Sequence, residues 1–108
     1  MKFEIIYSDR ALNDLRNIHR YIATELLSPE AANNLSNKIM NEIDALDTMP
    51  NRNPLYDKEP WHSRGLRKLV VDNFIAFYLH MEKQTQVLIV TIMYGKRNIS
   101  KILNELKD

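Results

Sequence analysis

Six cationic or phenolic side chains in the second half of the chain could bind, or help to cleave, a phosphodiester. They are Arg64, Arg67, Lys68, Tyr94, Lys96 and Arg97. Arginine suits this chemistry because its planar guanidinium can donate two parallel hydrogen bonds to a phosphate. Cleavage of RNA without a metal also needs a base for the 2′-hydroxyl and a proton donor for the leaving oxygen. None of the six is a base near neutral pH, so catalysis would require His62 or His80 to lie close by.

The motifs of common cofactor-dependent and metal-dependent enzymes do not occur in the sequence. It contains no Gly-rich phosphate loop, no Gly-x-Ser-x-Gly segment and no His-Glu-x-x-His segment. It has no Cys, and its three His residues are widely separated. We therefore expect neither a cofactor nor a metal ion.

The formal net charge of +1 conceals an uneven distribution of charge. Residues 1–61 carry seven Lys and Arg against ten Asp and Glu, whereas residues 62–108 carry eight against four. The basic half could face an anionic partner. The same cations could instead balance nearby carboxylates and keep the protein soluble, and the charge alone does not separate these interpretations.

Three closely spaced strands are predicted in the basic half. Runs of β-branched and aromatic residues occupy 66–71, 74–81 and 87–93, with Asp72-Asn73 between the first two. The connections leave room only for hairpins, so we expect an antiparallel meander. Its strands are apolar on both faces, which would leave apolar surface for a helix or an added strand from a partner.

The predicted hairpin places Arg67 directly opposite Tyr78, on the same face of the sheet as His80. An Arg, a Tyr and a His on one surface could form a site. A cross-strand pair of this kind can also be simple sheet packing that stabilises the fold by roughly 0.2–1 kcal/mol. Both interpretations remain open from the sequence.

Two long helices are predicted before the meander. Residues 2–7 alternate like a first strand. Ser8 can cap a helix over residues 9–26, whose predicted apolar stripe is Ala11, Leu15, Ile18, Ile22 and Leu26. Ser28-Pro29 is a second start signal, for a helix that extends to about residue 48. A Pro-containing irregular loop follows, and after the sheet Asn98 can cap a short C-terminal helix.

These elements predict one α/β (α+β) domain over residues 1–108, in which a long αα-hairpin packs on a mainly antiparallel sheet. With 44% hydrophobic and 27% charged residues, the composition is that of a folded globular protein. The longest apolar run is far shorter than a membrane span, and Met1-Lys2-Phe3-Glu4 does not begin an export signal. We therefore expect a cytoplasmic protein with no membrane partner.

In its order of elements, the chain resembles the RelE/ParE superfamily of toxins from bacterial type II toxin–antitoxin modules. The resemblance covers nearly the whole length: strand, helical hairpin, Pro-rich loop, Arg-Lys-Leu-Val-Val strand, Asp-Asn turn, Phe-Ile-Ala-Phe-Tyr strand and a Tyr94-Gly-Lys-Arg-Asn98 ending. It implies a microbial-RNase-like fold, growth arrest, and neutralisation by a cognate antitoxin whose extended C-terminal segment wraps the toxin.

The superfamily contains ribosome-dependent mRNA endonucleases similar to RelE and inhibitors of DNA gyrase similar to ParE. Arg67, Tyr94 and Arg97 match the RelE-like placement of Arg on a central strand and of aromatic and basic residues near the chain end. The long helical hairpin and the Tyr-Gly-Lys-Arg-Asn ending resemble the ParE pattern, although Asn98 stands where that pattern has Asp.

The resemblance therefore implies a target that is either gyrase or ribosome-bound mRNA. The ending and the missing base favour gyrase. The implied functional cluster is Arg67, Tyr94, Lys96 and Arg97, supported by Arg64, Lys68, Tyr78 and His80. An inactive binding module on the same scaffold is a third interpretation.

Overall fold

Strand, helical hairpin, three-stranded meander and short helix follow one another along the chain. A computed structural model describes residues 2–106. The strands are β1 (Glu4–Tyr7), β2 (Leu66–Val71), β3 (Phe74–Met81) and β4 (Gln86–Tyr94), and the helices are α1 (Asp9–Arg20), α2 (Pro29–Asp44) and α3 (Ile99–Asn104). The predicted α+β class is confirmed. Within residues 2–106, no helix is long and apolar enough to cross a membrane.

The four strands form one sheet in the order β1-β4-β3-β2. The hairpins β2–β3 and β3–β4 are antiparallel, and β1 pairs parallel to β4. The predicted register of the first hairpin is confirmed, since Val71 faces Phe74 and Arg67 faces Tyr78. Asp72 begins the turn with a φ of 54°, a left-handed conformation that Asp tolerates better than most residues.

The first helix begins as predicted but ends differently. Ser8 Oγ accepts a hydrogen bond of 2.9 Å from the Ala11 amide and so caps α1. After Arg20 the helix widens into one π-helical turn, in which the Leu26 amide bonds to the Tyr21 carbonyl five residues back. This wider turn moves Leu26 off the buried stripe, and its side chain is exposed, contrary to the prediction.

The second helix starts at Pro29, as predicted. Ser28 occupies the N-cap position, but its side chain makes no hydrogen bond to the helix. The regular helix ends at Asp44, and a 3₁₀ turn continues to Asp47, close to the expected end near residue 48.

Apolar layers cover both faces of the sheet. On one face, Ile39 and Ile43 of α2 pack with Ala11 of α1 against the strands. On the other face, Tyr56 and Trp61 of the loop after α2 pack with Ile102 and Leu103 of α3. This arrangement explains why the central strands are apolar on both sides. The loop also covers the outer edge of β2, because the Tyr56 amide bonds to the Leu66 carbonyl at 2.7 Å and the Lys68 amide to the Pro54 carbonyl at 3.1 Å.

Two tyrosines in the core differ in their hydrogen bonding. The Tyr78 hydroxyl donates to the Pro50 carbonyl at 2.7 Å and accepts from the Asn53 side-chain amide at 3.2 Å. The Tyr7 hydroxyl is buried and has no partner among residues 2–106. Burial, with a smaller contribution from the charge of Asp44, raises the pKa of Tyr7 to about 12.

Replacing each tyrosine by Phe should therefore have unequal effects on stability. We expect Tyr78→Phe to lower the free energy of unfolding by about 1–2 kcal/mol, because it leaves the buried Pro50 carbonyl without its donor. Tyr7→Phe should leave stability unchanged or raise it slightly, because the hydroxyl it removes is buried and unpaired. Urea denaturation followed by circular dichroism measures both. Equal losses in the two variants would contradict the assignment.

Candidate functional site

The end of β4 presents a Tyr and two cations to solvent. Tyr94 is 38% exposed, and its ring packs at a steep angle against Phe74, with centroids 5.7 Å apart. Lys96 and Arg97 follow in the turn after the strand, and both are exposed. The structure therefore brings together three of the predicted residues, which we call the Tyr94 cluster (Tyr94, Lys96 and Arg97).

A tight turn after β4 holds the Tyr94 cluster in place. The Gly95 amide donates to the Asn73 carbonyl at 2.8 Å, and the Arg97 amide donates to the Tyr94 carbonyl at 3.0 Å. A Cβ atom at Gly95 would lie 3.4 Å from both the Asn73 oxygen and the Ile75 side chain. Glycine thus allows the end of β4 to approach the β2–β3 turn closely.

A groove of about 1070 Å³ runs from the Tyr94 cluster towards the tip of the helical hairpin. We call it the β4 groove; residues 91–94 of β4 form one side and α1 the other. The apolar side chains that line it include Ile18, Tyr21, Ile22, Leu26, Leu35 and Phe74. Arg97 lies at one end, whereas Lys96 does not line the groove. The two neighbouring cations therefore have different surroundings.

Two acidic residues, Asp14 and Asp72, line the β4 groove. The first, Asp14 of α1, forms hydrogen bonds with β4. Its carboxylate accepts hydrogen bonds from the Thr91 hydroxyl at 2.6 Å and from the Ile92 amide at 3.0 Å. Arg10 Nε lies 4.0 Å from the same carboxylate and donates to Thr91 Oγ1 at 3.3 Å. Asp14 therefore connects α1 to β4 through its carboxylate.

The second acid, Asp72, accepts a hydrogen bond from Lys38 of α2 at 2.7 Å. This hydrogen bond and the charge of Asp72 raise the pKa of Lys38. With both acids engaged, Arg97 is the cation at the groove without an ion pair or side-chain hydrogen bond among residues 2–106. The end of the groove at Arg97 is consequently suited to an anionic group.

A second polar group, Arg67, Tyr78 and His80, holds the loop after α2. Arg67 Nη1 donates to the Asn53 carbonyl at 2.6 Å and to the Asn51 carbonyl at 3.3 Å. His80 Nδ1 lies 2.7 Å from the Asn51 side-chain oxygen, and burial raises the pKa of Tyr78. The predicted Arg67–Tyr78 pair exists, but its polar atoms are directed at loop carbonyls and amides.

The structure does not bring Arg67 together with the Tyr94 cluster. Tyr94 lies beside Phe74, which faces Val71 at the far end of β2. Arg67 is four residues before Val71, which is roughly 13 Å along an extended strand. The predicted cluster of four is therefore divided between the two ends of the sheet.

The remaining predicted residues, Arg64 and Lys68, lie apart from both groups. Arg64 packs its guanidinium over the Trp61 ring at 5.0 Å, in the loop before β2. Lys68 is next to Arg67 in β2 and therefore points to the opposite face of the sheet. Neither lines the β4 groove.

The geometry of the Tyr94 cluster suits binding better than acid–base catalysis. None of His19, His62 and His80 lines the groove. Within residues 2–106, no three His, Cys, Asp or Glu side chains are grouped so that they could hold a metal ion. The cluster can stack, donate hydrogen bonds and pair with an anion, but it contains no His, Asp or Glu.

Sequence reasoning missed Arg10, Asp14 and the β4 groove. Asp14 lies on the polar side of an amphipathic helix, where most carboxylates are solvated, so its type and position gave no signal. Only the docking of α1 beside β4 reveals that this carboxylate binds a strand.

Comparison with known protein families identifies the chain's relatives. Residues 5–99 match the family described as the ParE toxin of the type II toxin–antitoxin system parDE. A comparison with curated protein sequences gave no significant match.

Solved structures share the fold at low sequence identity. A chain of the chromosomal ParDE toxin–antitoxin system of P. aeruginosa is 21% identical, with a TM-score of 0.71 over 88% of this chain and 98% of that one. A mutant of the E. coli toxin RelE in the free state is 11% identical, with a TM-score of 0.66 over 99% and 100%. A chain of a RelBE toxin–antitoxin complex of Mycobacterium tuberculosis is 14% identical, with a TM-score of 0.59 over 87% and 99%. The family match spans most of the chain, and the fold agrees with it: this protein belongs to the ParE toxin family of type II toxin–antitoxin systems, within the RelE/ParE superfamily.

Proposed function

We propose that the protein arrests bacterial growth by inhibiting DNA gyrase through the Tyr94 cluster. The observation that carries this proposal is an exposed Tyr with two exposed cations and, among residues 2–106, no His in the adjoining groove. A surface that inhibits a protein target needs aromatic and cationic contacts, which are common in interface hot spots, but needs no proton transfer. Membership of the ParE family supports the same choice.

The second candidate is RelE-like cleavage of ribosome-bound mRNA. Arg97 favours it, because this guanidinium is available to a phosphate beside the phenol of Tyr94. Against it, Arg67 already donates to two loop carbonyls, and the three His residues lie outside the groove. An inactive binding module on this scaffold is the third candidate, and it predicts no effect on growth.

We also propose that a cognate antitoxin neutralises the toxin by binding in the β4 groove. The solved relatives include chains from toxin–antitoxin complexes. In this chain, the groove combines an apolar wall with the exposed side chains of Tyr21 and Leu26, which makes it a suitable surface for a peptide segment. Because Tyr94 and Arg97 line the same groove, a bound antitoxin would cover part of the cluster.

The first test of the proposed role of the Tyr94 cluster is growth after induction of the toxin alone. Wild-type protein should arrest growth, and Arg97→Ala should raise the inducer level needed for arrest by about tenfold or more, as expected for the loss of a charge-assisted contact. Lys83→Ala is the matched control, because Lys83 is an exposed cation in the turn before β4, at the opposite end of that strand. Circular dichroism should show both variants folded. Full arrest by folded Arg97→Ala would remove this residue from the site.

A second test identifies the target. Purified toxin should block supercoiling of relaxed plasmid by gyrase, and cleaved DNA–gyrase complexes should accumulate, while mRNA in a translating extract remains intact by primer extension. The expectation follows from the missing base at the Tyr94 cluster, since a nuclease needs proton transfer and an inhibitor of a protein does not. New mRNA ends with normal supercoiling would select the RelE-like function. Intact mRNA with normal supercoiling would reject both.

A third test addresses the partner. A small gene next to the toxin gene should encode the antitoxin, and the two products should co-purify after co-expression. Because the antitoxin binds only the folded toxin, the complex should melt at a higher temperature than the toxin alone. Two proteins that elute separately at micromolar concentration would contradict the pairing.

A further inference from the structure

The sheet has two edge strands, β1 and β2, and they differ in how they are covered. The loop after α2 runs along β2 and bonds to it through the Tyr56 and Lys68 amides. On β1, none of residues 2–106 forms a backbone bond to the outer side of the strand beyond Phe3. An uncovered edge presents backbone donors and acceptors with which another chain can pair.

Pairing with β4 determines which backbone groups of β1 face outward. The Glu4 amide donates to the Thr85 carbonyl at 2.9 Å, so Glu4 faces β4. Since backbone groups alternate along a strand, Ile6 faces β4 as well, whereas Ile5 and Tyr7 face the outer side. The backbone amides and carbonyls of Ile5 and Tyr7 have no hydrogen bond among residues 2–106. These two residues therefore leave both of their amides and both of their carbonyls free to bond to another chain.

The side chain of Ile6 is apolar and is buried by neither core of the protein. Ile5 and Tyr7 pack into the core under the helical hairpin, and Ile6 points to the opposite face of the sheet. Ile6 and Leu88, its neighbour on β4, are both partly exposed and belong to neither core cluster. A further strand beside β1 would therefore cover apolar surface as well as bond to the backbone.

We infer that two copies of this protein pair through β1, antiparallel about a twofold axis, so that their sheets join into one. In this arrangement Ile6 of one copy lies opposite Ile6 of the second copy, and Ile5 lies opposite Tyr7 of the second copy. Each Ile5–Tyr7 pair exchanges two hydrogen bonds, because facing residues that point towards each other in an antiparallel ladder bond through both groups. All of the free backbone groups of Ile5 and Tyr7 thereby gain a partner.

The strand is complementary to itself in this register, which is the reason for assigning the edge to a second copy. The two Ile6 side chains meet at the axis, where a pair without backbone bonds brings side chains closest. Glu4 lies opposite Ser8 of the second copy, so no like charges face each other directly. The Phe3 amide, which donates to the Asp47 carbonyl at 2.7 Å, lies outside the paired segment and keeps its bond.

The paired edge is separate from the Tyr94 cluster. β1 reaches along β4 only as far as Ile89, whereas Tyr94 is at the far end of β4. The inference therefore does not depend on the proposed target or on the proposed antitoxin. Because β1 has only four residues, the interface is short, and we expect a dimer that dissociates on dilution.

The direct test uses the toxin alone, with its mass measured by light scattering from micromolar to millimolar concentration. Mass should rise from monomer to dimer, and NMR should show that the Ile5 and Tyr7 amides exchange about tenfold or more slowly in the dimer. The Ile6 amide, which faces β4 in both states, should change much less. A monomer at every concentration would overturn the inference, as would a dimer in which Ile5 and Tyr7 exchange at the monomer rate. Protection of these amides only after the product of the adjacent gene is added would assign the edge to the antitoxin, and would also overturn it.

Two matched variants test the contact at the axis. Ile6→Lys and Ile6→Glu each place like charges directly opposite one another, so each variant alone should self-associate about tenfold or more weakly than wild type. An equal mixture of the two should recover association, because Lys then faces Glu across the axis. Circular dichroism checks that both are folded; if either is not, the exchange of Ile5 and Tyr7 in the wild-type protein decides. Folded variants that dimerise as tightly as wild type, or a mixture no tighter than its components, would overturn the pairing.

Discussion

The structure depends on how β4 satisfies its backbone hydrogen bonds once β1 has ended. A nine-residue strand lies beside a four-residue strand, so part of β4 must find other partners. Ser8 and Asp14, at the beginning and in the middle of one helical segment, supply them at Val90 and Ile92. These two bonds act together with the apolar packing of α1 to hold it against the sheet, and the β4 groove lies beside them.

The same residue types serve different purposes at the two ends of the sheet. Arg67 donates hydrogen bonds to the carbonyl oxygens of Asn51 and Asn53 in the loop after α2, so its guanidinium stabilises that loop. Arg97 lies in a turn whose backbone groups are already bonded, and its guanidinium therefore faces outward. The sequence alone therefore does not show whether an Arg in a basic cluster stabilises the fold or faces a partner. This depends on which carbonyl groups lie next to it in the structure.

Local patterns were sufficient to predict most of the fold. The Asp72-Asn73 turn fixed the hairpin register, and with it the Arg67–Tyr78 pair, because pairing outward from a two-residue turn has one solution. The Ser8 cap and the Asn98 cap follow from side chains that bond within three residues. The π-helical turn was not predictable, since Leu26 continues the helical spacing and only the bond to Tyr21 displaces it.

The site was predicted less completely than the fold. Tyr94, Lys96 and Arg97 are near one another because they are close in sequence. Whether Arg67 joins them depends on the length of β2, and the role of Asp14 depends on contacts with residues 77 and 78 positions further along the chain. Patterns within short windows carry no information on such distances.

The pairing of β1 with β4 also has a consequence for folding, because Ser8 and Val90 are 82 positions apart in the sequence. The meander β2–β3–β4 is joined by short turns and can form first, whereas β1 and α1 must close a long loop before they reach it. We therefore expect the chain to acquire its groove only in the last step of folding, and a nascent toxin to carry a bare β4 edge, open to misassociation, until the N-terminal segment has docked.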